Sequence, residues 1–260
     1  MIKISHNAGF FSCCSVKLDK IVKFVNSNNK LPDIVDSSQL FKLYKINKDA
    51  DITFSYFENY NNIMDIKIIS PIDYFEHYQY KDYSKLNYKD INPLIKKYFS
   101  PSFKINEIIS NIENKYNIVH DNTLAVYYRG TDKYKETQLS SFDEFYEQII
   151  RIVGINKDIK ILLQSDSANF IDYINDKSFK NIIIIDENKT SYTNKGIHLE
   201  QSSNANYYDM LNFLSTILII SKCKYIICSS GNCSIWTMFY RGHNKNIIQY
   251  LNGTWYNSIS

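Results

Sequence analysis

Two short polar segments stand out as places where this chain could do chemistry. The first is Tyr127-Tyr128-Arg129-Gly130-Thr131-Asp132-Lys133, which follows directly on the apolar run 123–128. Arg stands only at positions 129, 151 and 241, Lys having taken the other basic positions, so an Arg kept at a strand end points to a need for its planar fork. Arg129 can grip a phosphate through two parallel N–H bonds, and Asp132 can orient it or meet a sugar or base; a solvated ion pair is the other reading of the same residues. Glu136 follows closely enough to serve the same pocket. The second segment is Ser229-Ser230-Gly231-Asn232-Cys233-Ser234, between an apolar run at 225–228 and a helical pattern through 236–240. Small residues there let backbone N–H groups and hydroxyls approach an anion at the positive end of a helix, where a diphosphate fits. Ordinary helix capping by Ser and Asn is the alternative.

Other candidates are poorer. Asp49-Ala50-Asp51 has the spacing of an acid pair that holds a divalent metal on a diphosphate, but that chemistry needs an apolar strand before the acids, and Lys45 to Lys48 precede them. A plain polar turn is expected. The five histidines accompany no nucleophile motif, and no G-x-S-x-G or P-loop is present, which removes the hydrolase and kinase readings. His6 sits in the first strand-to-helix loop, where a capping role and a place in a cleft both remain open. The five cysteines form no C-x-x-C pair and have no His at ligand spacing, so reduced thiols and no zinc or other metal site are expected. Cys13 and Cys14 read as small packing residues of the first helix.

The elements that must position these residues alternate. Residues 2–5 read as a strand, 6–9 as a turn, and Val16, Leu18, Ile21, Val22 and Val25 as the apolar face of a helix. Strands are expected at 31–36 and 52–57, and an aromatic-rich connecting region at 70–102. Beyond it, helices at 105–116, 142–153 and 207–221 separate strands at 123–128, 159–163, 182–185 and 225–228. This β-α order implies parallel sheets, with sites at the strands' C-terminal ends. The expected architecture is α/β, in two Rossmann-like halves with a cleft between them: residues 1–104, residues 105–245, and a C-terminal tail at 246–260.

Composition narrows the function classes. With 260 residues, 44% hydrophobic and 22% charged, the chain can bury a large core, and Gly 7 with Pro 4 excludes collagen-like or linker-rich arrays. The 30 Lys and Arg are interspersed with 27 Asp and Glu, so no basic block offers a surface for nucleic acid. Residues 210–220, the most apolar stretch, are too short for a membrane span. The N-terminal residues lack a signal-peptide pattern, and a cytoplasmic protein is expected.

Residues 127–133 resemble the H-x-R-R-x-D-K type motif of the fucosyltransferase-like GT-B glycosyltransferases, the family of the bacterial nodulation and animal core α-1,6 fucosyltransferases. Further segments follow in the family's order. His6-Asn7-Ala8-Gly9-Phe10-Phe11 is similar to its Gly-rich first loop, Leu31-Pro32-Asp33-Ile34-Val35-Asp36 to its second strand, Leu163-Gln164-Ser165-Asp166 to its "ATDD" segment, and the 228–234 turn to its late phosphate turn. The resemblance implies a GT-B-like fold and inverting, metal-independent transfer of a sugar from a GDP-fucose-like donor to a glycan hydroxyl. It implies that Arg129 holds the donor's β-phosphate, and that Ser229, Ser230, Gly231, Asn232 and Ser234 hold the diphosphate from the other side. Lys133, Asp166, Gly9 and Phe10 would complete the donor site, and Glu136, or else Asp132, would take the acceptor's proton. Gly130 stands where the family has a second Arg, and Tyr127 where it has a His that helps seat guanine. UDP-xylose or another sugar nucleotide is therefore an alternative donor, and a catalytically idle glycan- or nucleotide-binding module an alternative role. The A/T-biased composition looks like that of giant DNA virus glycosyltransferases.

Overall fold

A computed structural model of the chain describes residues 1–47, 50–63, 66–199 and 201–259, apart from the side chain of His198. The chain opens with β1 (Ile2–Ser5), the 19-residue helix α1 (Phe10–Asn28) and β2 (Val35–Gln39), and β1 and β2 pair in parallel as a two-stranded sheet. The expected strand at 52–57 is instead one helical turn, α2 (Thr53–Tyr56). Its alternating Ile-Thr-Phe-Ser-Tyr-Phe sequence reads as β, but Asp51 Oδ1 accepts the Thr53 N–H at 2.9 Å and starts a turn. The rings of Tyr56 and Phe57 then close around Phe10, with centroids 4.7 and 5.9 Å away. Asp51 of the acid pair is thus a turn residue, while Asp49 lies outside the described residues. The first half is therefore a single β-α-β unit wrapped in short aromatic-rich turns, followed by α3 (Tyr88–Tyr98).

The second half is a full parallel α/β unit. It contains α4 (Phe103–Lys115), β3 (Thr123–Tyr128), α5 (Phe142–Ile155), β4 (Lys160–Ser165), α6 (Ala168–Asn175), β5 (Ile182–Ile184), α7 (Ser203–Lys222), β6 (Tyr225–Ser229) and α8 (Asn232–Arg241). The expected tail joins it: β7 (Ile247–Leu251) pairs parallel to β6, and β8 (Thr254–Asn257) returns antiparallel through an Asn252-Gly253 turn with both φ angles positive. The sheet order is β5-β4-β3-β6-β7-β8. Its central strands are buried on both faces, which is why they read as unbroken apolar runs.

Alternation along β3 sets up the site. Leu124, Val126 and Tyr128 enter a core with Phe145 and Phe170, where Tyr128 stacks on Phe170 at 4.4 Å. Ala125 and Tyr127 face the opposite core, which runs without a break into the first half through Phe10, Phe57, Phe99 and Trp236. Ser15 on α1 fastens the halves further: its Oγ donates to Asn232 Oδ1 and accepts from Trp236 Nε1, both at 2.9 Å, locking α1 against α8.

Candidate functional site

A cavity of about 360 Å³ opens between residues 8–12 and the C-terminal ends of β3, β4 and β6. Two helices aim their N-termini at it. Serine hydroxyls cap α4, α5 and α7, but α1 and α8 begin after Gly9 and Gly231, which have no side chain to cap with. Gly9, Phe10, Phe11 and Ser12 line one wall; Gly231, Asn232 and Cys233 line another. Tyrosine hydroxyls take one N–H at each start, Tyr44 Oη that of Phe10 at 3.0 Å and Tyr83 Oη that of Gly231 at 3.1 Å, so it is the next N–H groups and the positive dipole ends that an anion could meet.

Arg129 reaches this space from the end of β3. Its Nη2 donates to Asp132 Oδ1 at 2.9 Å, its Nε lies 2.8 Å from Asp166 Oδ2, and its Nη1 donates to Cys233 Sγ at 3.3 Å. Burial opposes the charge, but Asp166, Cys233, Tyr127 and Asp132 together raise the guanidinium's pKa well above its ordinary value. Asp166 is the fastener of the loop. Its Oδ1 accepts the Gly130 N–H and its Oδ2 the Thr131 hydroxyl, each at 2.8 Å, in addition to pairing with Arg129. Although Asp166 lines the cavity, both of its oxygens are committed to holding the 129–131 loop. Gly130 is required by close approach: a Cβ there would stand 2.5 Å from Tyr128 Cε1 and 3.1 Å from Ser167 Cβ. A second arginine has no room at this position.

Lys133 and Glu136 are locked together. The buried Lys133 Nζ donates to Glu136 Oε2 at 2.6 Å and to Gln79 Oε1 at 3.3 Å, while Tyr80 Oη donates to the same Glu136 oxygen at 2.9 Å. Burial would raise the Glu136 carboxyl, but the Lys133 ammonium and the Tyr80 hydroxyl win and hold it below the ordinary carboxylate range. Glu136 lines the cavity with the properties of an ion-pair member, whereas an effective proton acceptor titrates near the working pH. Lys133 also passes over the start of α8, its Cε and Nζ 3.1 and 3.2 Å from where a Gly231 Cβ would lie, so Gly231 makes room for it.

Of the serine turn, the structure brings Gly231 and Asn232 to the cavity but not Ser229, Ser230 or Ser234. These three are buried and their hydroxyls hold the turn itself. Ser229 Oγ accepts the Arg129 N–H at 3.3 Å, Ser230 Oγ donates to the Tyr250 carbonyl at 2.8 Å, and Ser234 Oγ donates to the Ser229 carbonyl at 2.5 Å. The expectation that they hold a diphosphate through side chains is corrected. What the turn offers is backbone. Cys13 and Cys14 are sealed in the core and His6 bonds to Ser12 at 2.9 Å; none of the three lines the cavity.

Tyr127 and Gln164, from the two motif segments, line the cavity together with Asn188, Met210 and Phe213, which the sequence did not single out, and the ion pair Lys189–Asp209 (2.9 Å) also lies in the lining. Asn188 Nδ2 donates to Gln164 Oε1 and Thr216 Oγ1, both at 2.8 Å, while Asn188 Oδ1 is buried and completes no hydrogen bond. The position of Asn188-Lys189 just beyond the acid pair closing the β5 run was the available signal. The α7 residues become neighbours only through tertiary packing. Among the described residues, no group of three or more His, Cys, Asp and Glu is placed to hold a metal ion, and no helix is long and apolar enough to cross a membrane.

No family model matches this chain, and no curated protein does. Among solved structures it is similar to NodZ alpha-1,6-fucosyltransferase co-crystallised with GDP, at 13% identity and a TM-score of 0.45 over 65% of this chain and 52% of that one. Fucosyltransferase NodZ from Bradyrhizobium gives 12% identity and a TM-score of 0.46, over 66% of this chain and 53% of that one. A variant of Arabidopsis thaliana FUT1 in complex with GDP gives 11% and 0.39, over 61% and 35%. The chain spans about half the length of the NodZ chains it matches.

Proposed function

We propose that this chain is a glycosyltransferase that moves a sugar, with inversion and without a metal ion, from a nucleoside-diphosphate donor to a hydroxyl of a glycan. The observation that carries the reading is the convergence of Arg129 and two glycine-led helix starts on one cavity whose lining also includes the amides of Gln164 and Asn188 and the rings of Tyr127 and Phe213. A nucleoside diphosphate calls for both chemistries, cationic and N–H donors for its diphosphate and amides or rings for its planar base. The likeness of residues 127–133 to the fucosyltransferase motif favours a GDP-linked sugar, and Tyr127, which replaces the motif's His, keeps UDP-linked sugars as the alternative.

In the transfer, the acceptor oxygen attacks the anomeric carbon from the face opposite the diphosphate. The new C–O bond forms as the bond to the β-phosphate oxygen breaks, and the diphosphate leaves with the bonding pair. Arg129 and the α1 and α8 starts take up the charge that develops there, in the way that preorganised donors stabilise a leaving anion. Arg129 Nη1 is the donor with most to gain, since a phosphate oxygen is a far better acceptor than the thiol it meets at 3.3 Å. The acceptor proton goes to a carboxylate. Asp132, which lines the cavity with only Oδ1 engaged by Arg129, suits this better than the clamped Glu136.

The test is thermal stabilisation by GDP, UDP, dTDP and ADP in parallel, since a ligand that binds only the folded state at about 100 times its Kd adds about 2.7 kcal/mol. Stabilisation by none of them overturns the reading. The clamp on Glu136 favours a second reading, binding without turnover. Slow release of free sugar from the stabilising donor, measured without acceptor, separates an enzyme from a binder.

A further inference from the structure

The donor reading leaves a buried amide beside the start of α8 without a task. Gln79 lies in the turn at Tyr78–Tyr80, comes from the first half of the chain, is 6% exposed and lines the cavity. Charge fixes its orientation. The Lys133 ammonium has only donors, so the amide oxygen must face it, and Oε1 does so at 3.3 Å. Nε2 then points the other way. It donates to no described residue, yet it is not one of the sealed polar atoms that lack a partner, so this N–H₂ group is surface that Gln79 shows to the cavity. An amide so deeply buried is rarely left with its donors unused.

A second group waits next to it. Glu136 spends Oε2 on Lys133 and Tyr80 and leaves Oε1 with no described partner, and its carboxylate lines the same cavity. Both Gln79 and Glu136 are held by one ammonium, and that ammonium lies against the α8 start, 3.2 Å from where a Cβ on Gly231 would stand. In a sugar nucleotide the sugar is joined directly to the β-phosphate, so groups set beside a diphosphate held at Arg129 and α8 are the ones that meet the sugar. An unused N–H donor next to an unused carboxylate oxygen is the pairing that a hydroxyl requires, since a hydroxyl both accepts and donates.

We propose that Gln79 is a specificity residue for the transferred sugar: Nε2 donates to the oxygen of a sugar hydroxyl, and Glu136 Oε1 accepts a hydrogen bond from the same hydroxyl. The assignment deepens the donor reading and rests on it. A sugar with no hydroxyl at that place leaves the amide unpaired, and a site built around a hydroxyl discriminates more sharply than an apolar one. The clamp on Glu136 thereby gains a use, because Lys133 and Tyr80 hold the accepting carboxylate still.

The experiment is calorimetry of GDP against GDP-fucose and of UDP against UDP-xylose, on the folded chain and on Gln79→Met, which keeps the side chain's length and removes the amide. No acceptor is present. For the pair that binds, Gln79→Met should weaken the sugar nucleotide about 5–10-fold and the bare diphosphate less than about twofold. On the unaltered chain, the Gln79 side-chain N–H₂ resonances should shift further with the sugar nucleotide than with its diphosphate, a readout that does not depend on the variant's folding. A sugar nucleotide weakened no more than its diphosphate overturns the proposal, as do resonances identical in the two complexes. Unchanged donor binding with a raised KM for a glycan acceptor also overturns it, because the amide would then belong to the acceptor. A chain that binds none of the four ligands overturns the donor reading and this assignment together, whereas diphosphate binding with an unmoved ratio overturns the assignment alone.

Discussion

Replacing Lys17 by methionine should stabilise this protein, and by an amount that depends on pH in a defined way. Lys17 lies on α1 and is 0% exposed; its Nζ has no hydrogen-bond partner among the described residues and sits 5.2 Å from the centroid of the Phe99 ring. Burial lowers its pKa from 10.5 to about 8, against the opposing pull of Cys14 and Asp51. Between those values the unfolded chain binds a proton that the folded chain has released, so the penalty on folding is complete below pH 8 and fades as pH climbs towards 10.5. At about 1.4 kcal/mol per tenfold change, the penalty is about 3 kcal/mol at pH 7, about 2 at pH 9 and about 1 at pH 10. Methionine fills the same channel without the charge. Lys17→Met should therefore melt higher than the parent by about 6–10 °C at pH 7, with the margin shrinking to about a third at pH 10. The buried thiols and tyrosines that do not touch Lys17 titrate in both proteins alike and cancel in the difference, and burial holds the one that does, Cys14, well above its ordinary value. Paired circular-dichroism melts at pH 7, 8, 9 and 10 make the measurement. A variant no more stable than the parent at pH 7, or a margin that stays constant with pH, refutes the argument.

Three further outcomes concern the site. Arg129→Lys keeps the charge and loses the fork, so transfer should fall about 10²-fold with the fold intact by circular dichroism; full activity would remove two-pronged phosphate binding. Asp132→Asn should cut turnover about 10²–10⁴-fold while donor affinity, measured calorimetrically, changes far less, and Glu136→Gln should leave turnover within about tenfold. The reverse order of effects would return the proton-acceptor role to Glu136. Donor binding and transfer should persist in excess EDTA, and activity lost there but restored by magnesium or manganese would require a metal site.

Much of this was legible wherever a run of apolar residues stopped abruptly. The run Thr123–Tyr128 gave both a central strand and the exit point of Arg129, because a parallel strand buried on both faces is predominantly apolar and a charged guanidinium is expected only where it leaves the sheet. The place of Arg129 followed from that rule. The rest of the lining did not, because Asn188, beyond β5, meets Met210 and Phe213 of α7 only in the assembled fold. The serines of the 229–234 turn misled for the opposite reason: a hydroxyl that can face an anion can equally bond the local backbone, and here it does. The tail was readable but unread. Asn252-Gly253 between two apolar runs is a hairpin signal, and it closes the sheet with β8.

The Ser15 bridge joins positions 217 residues apart when it reaches Asn232. During synthesis at about 5–20 residues per second, the first half emerges long before its partner surface exists. Phe10, Phe57 and Phe99, whose core is completed by Trp236, must wait for α8 before that face is covered. The cavity itself does not exist until α8 has been made, because Gly231, Asn232 and Cys233 form part of its wall. The nascent protein therefore depends on the local β-α-β unit and its own aromatic packing to stay out of aggregates.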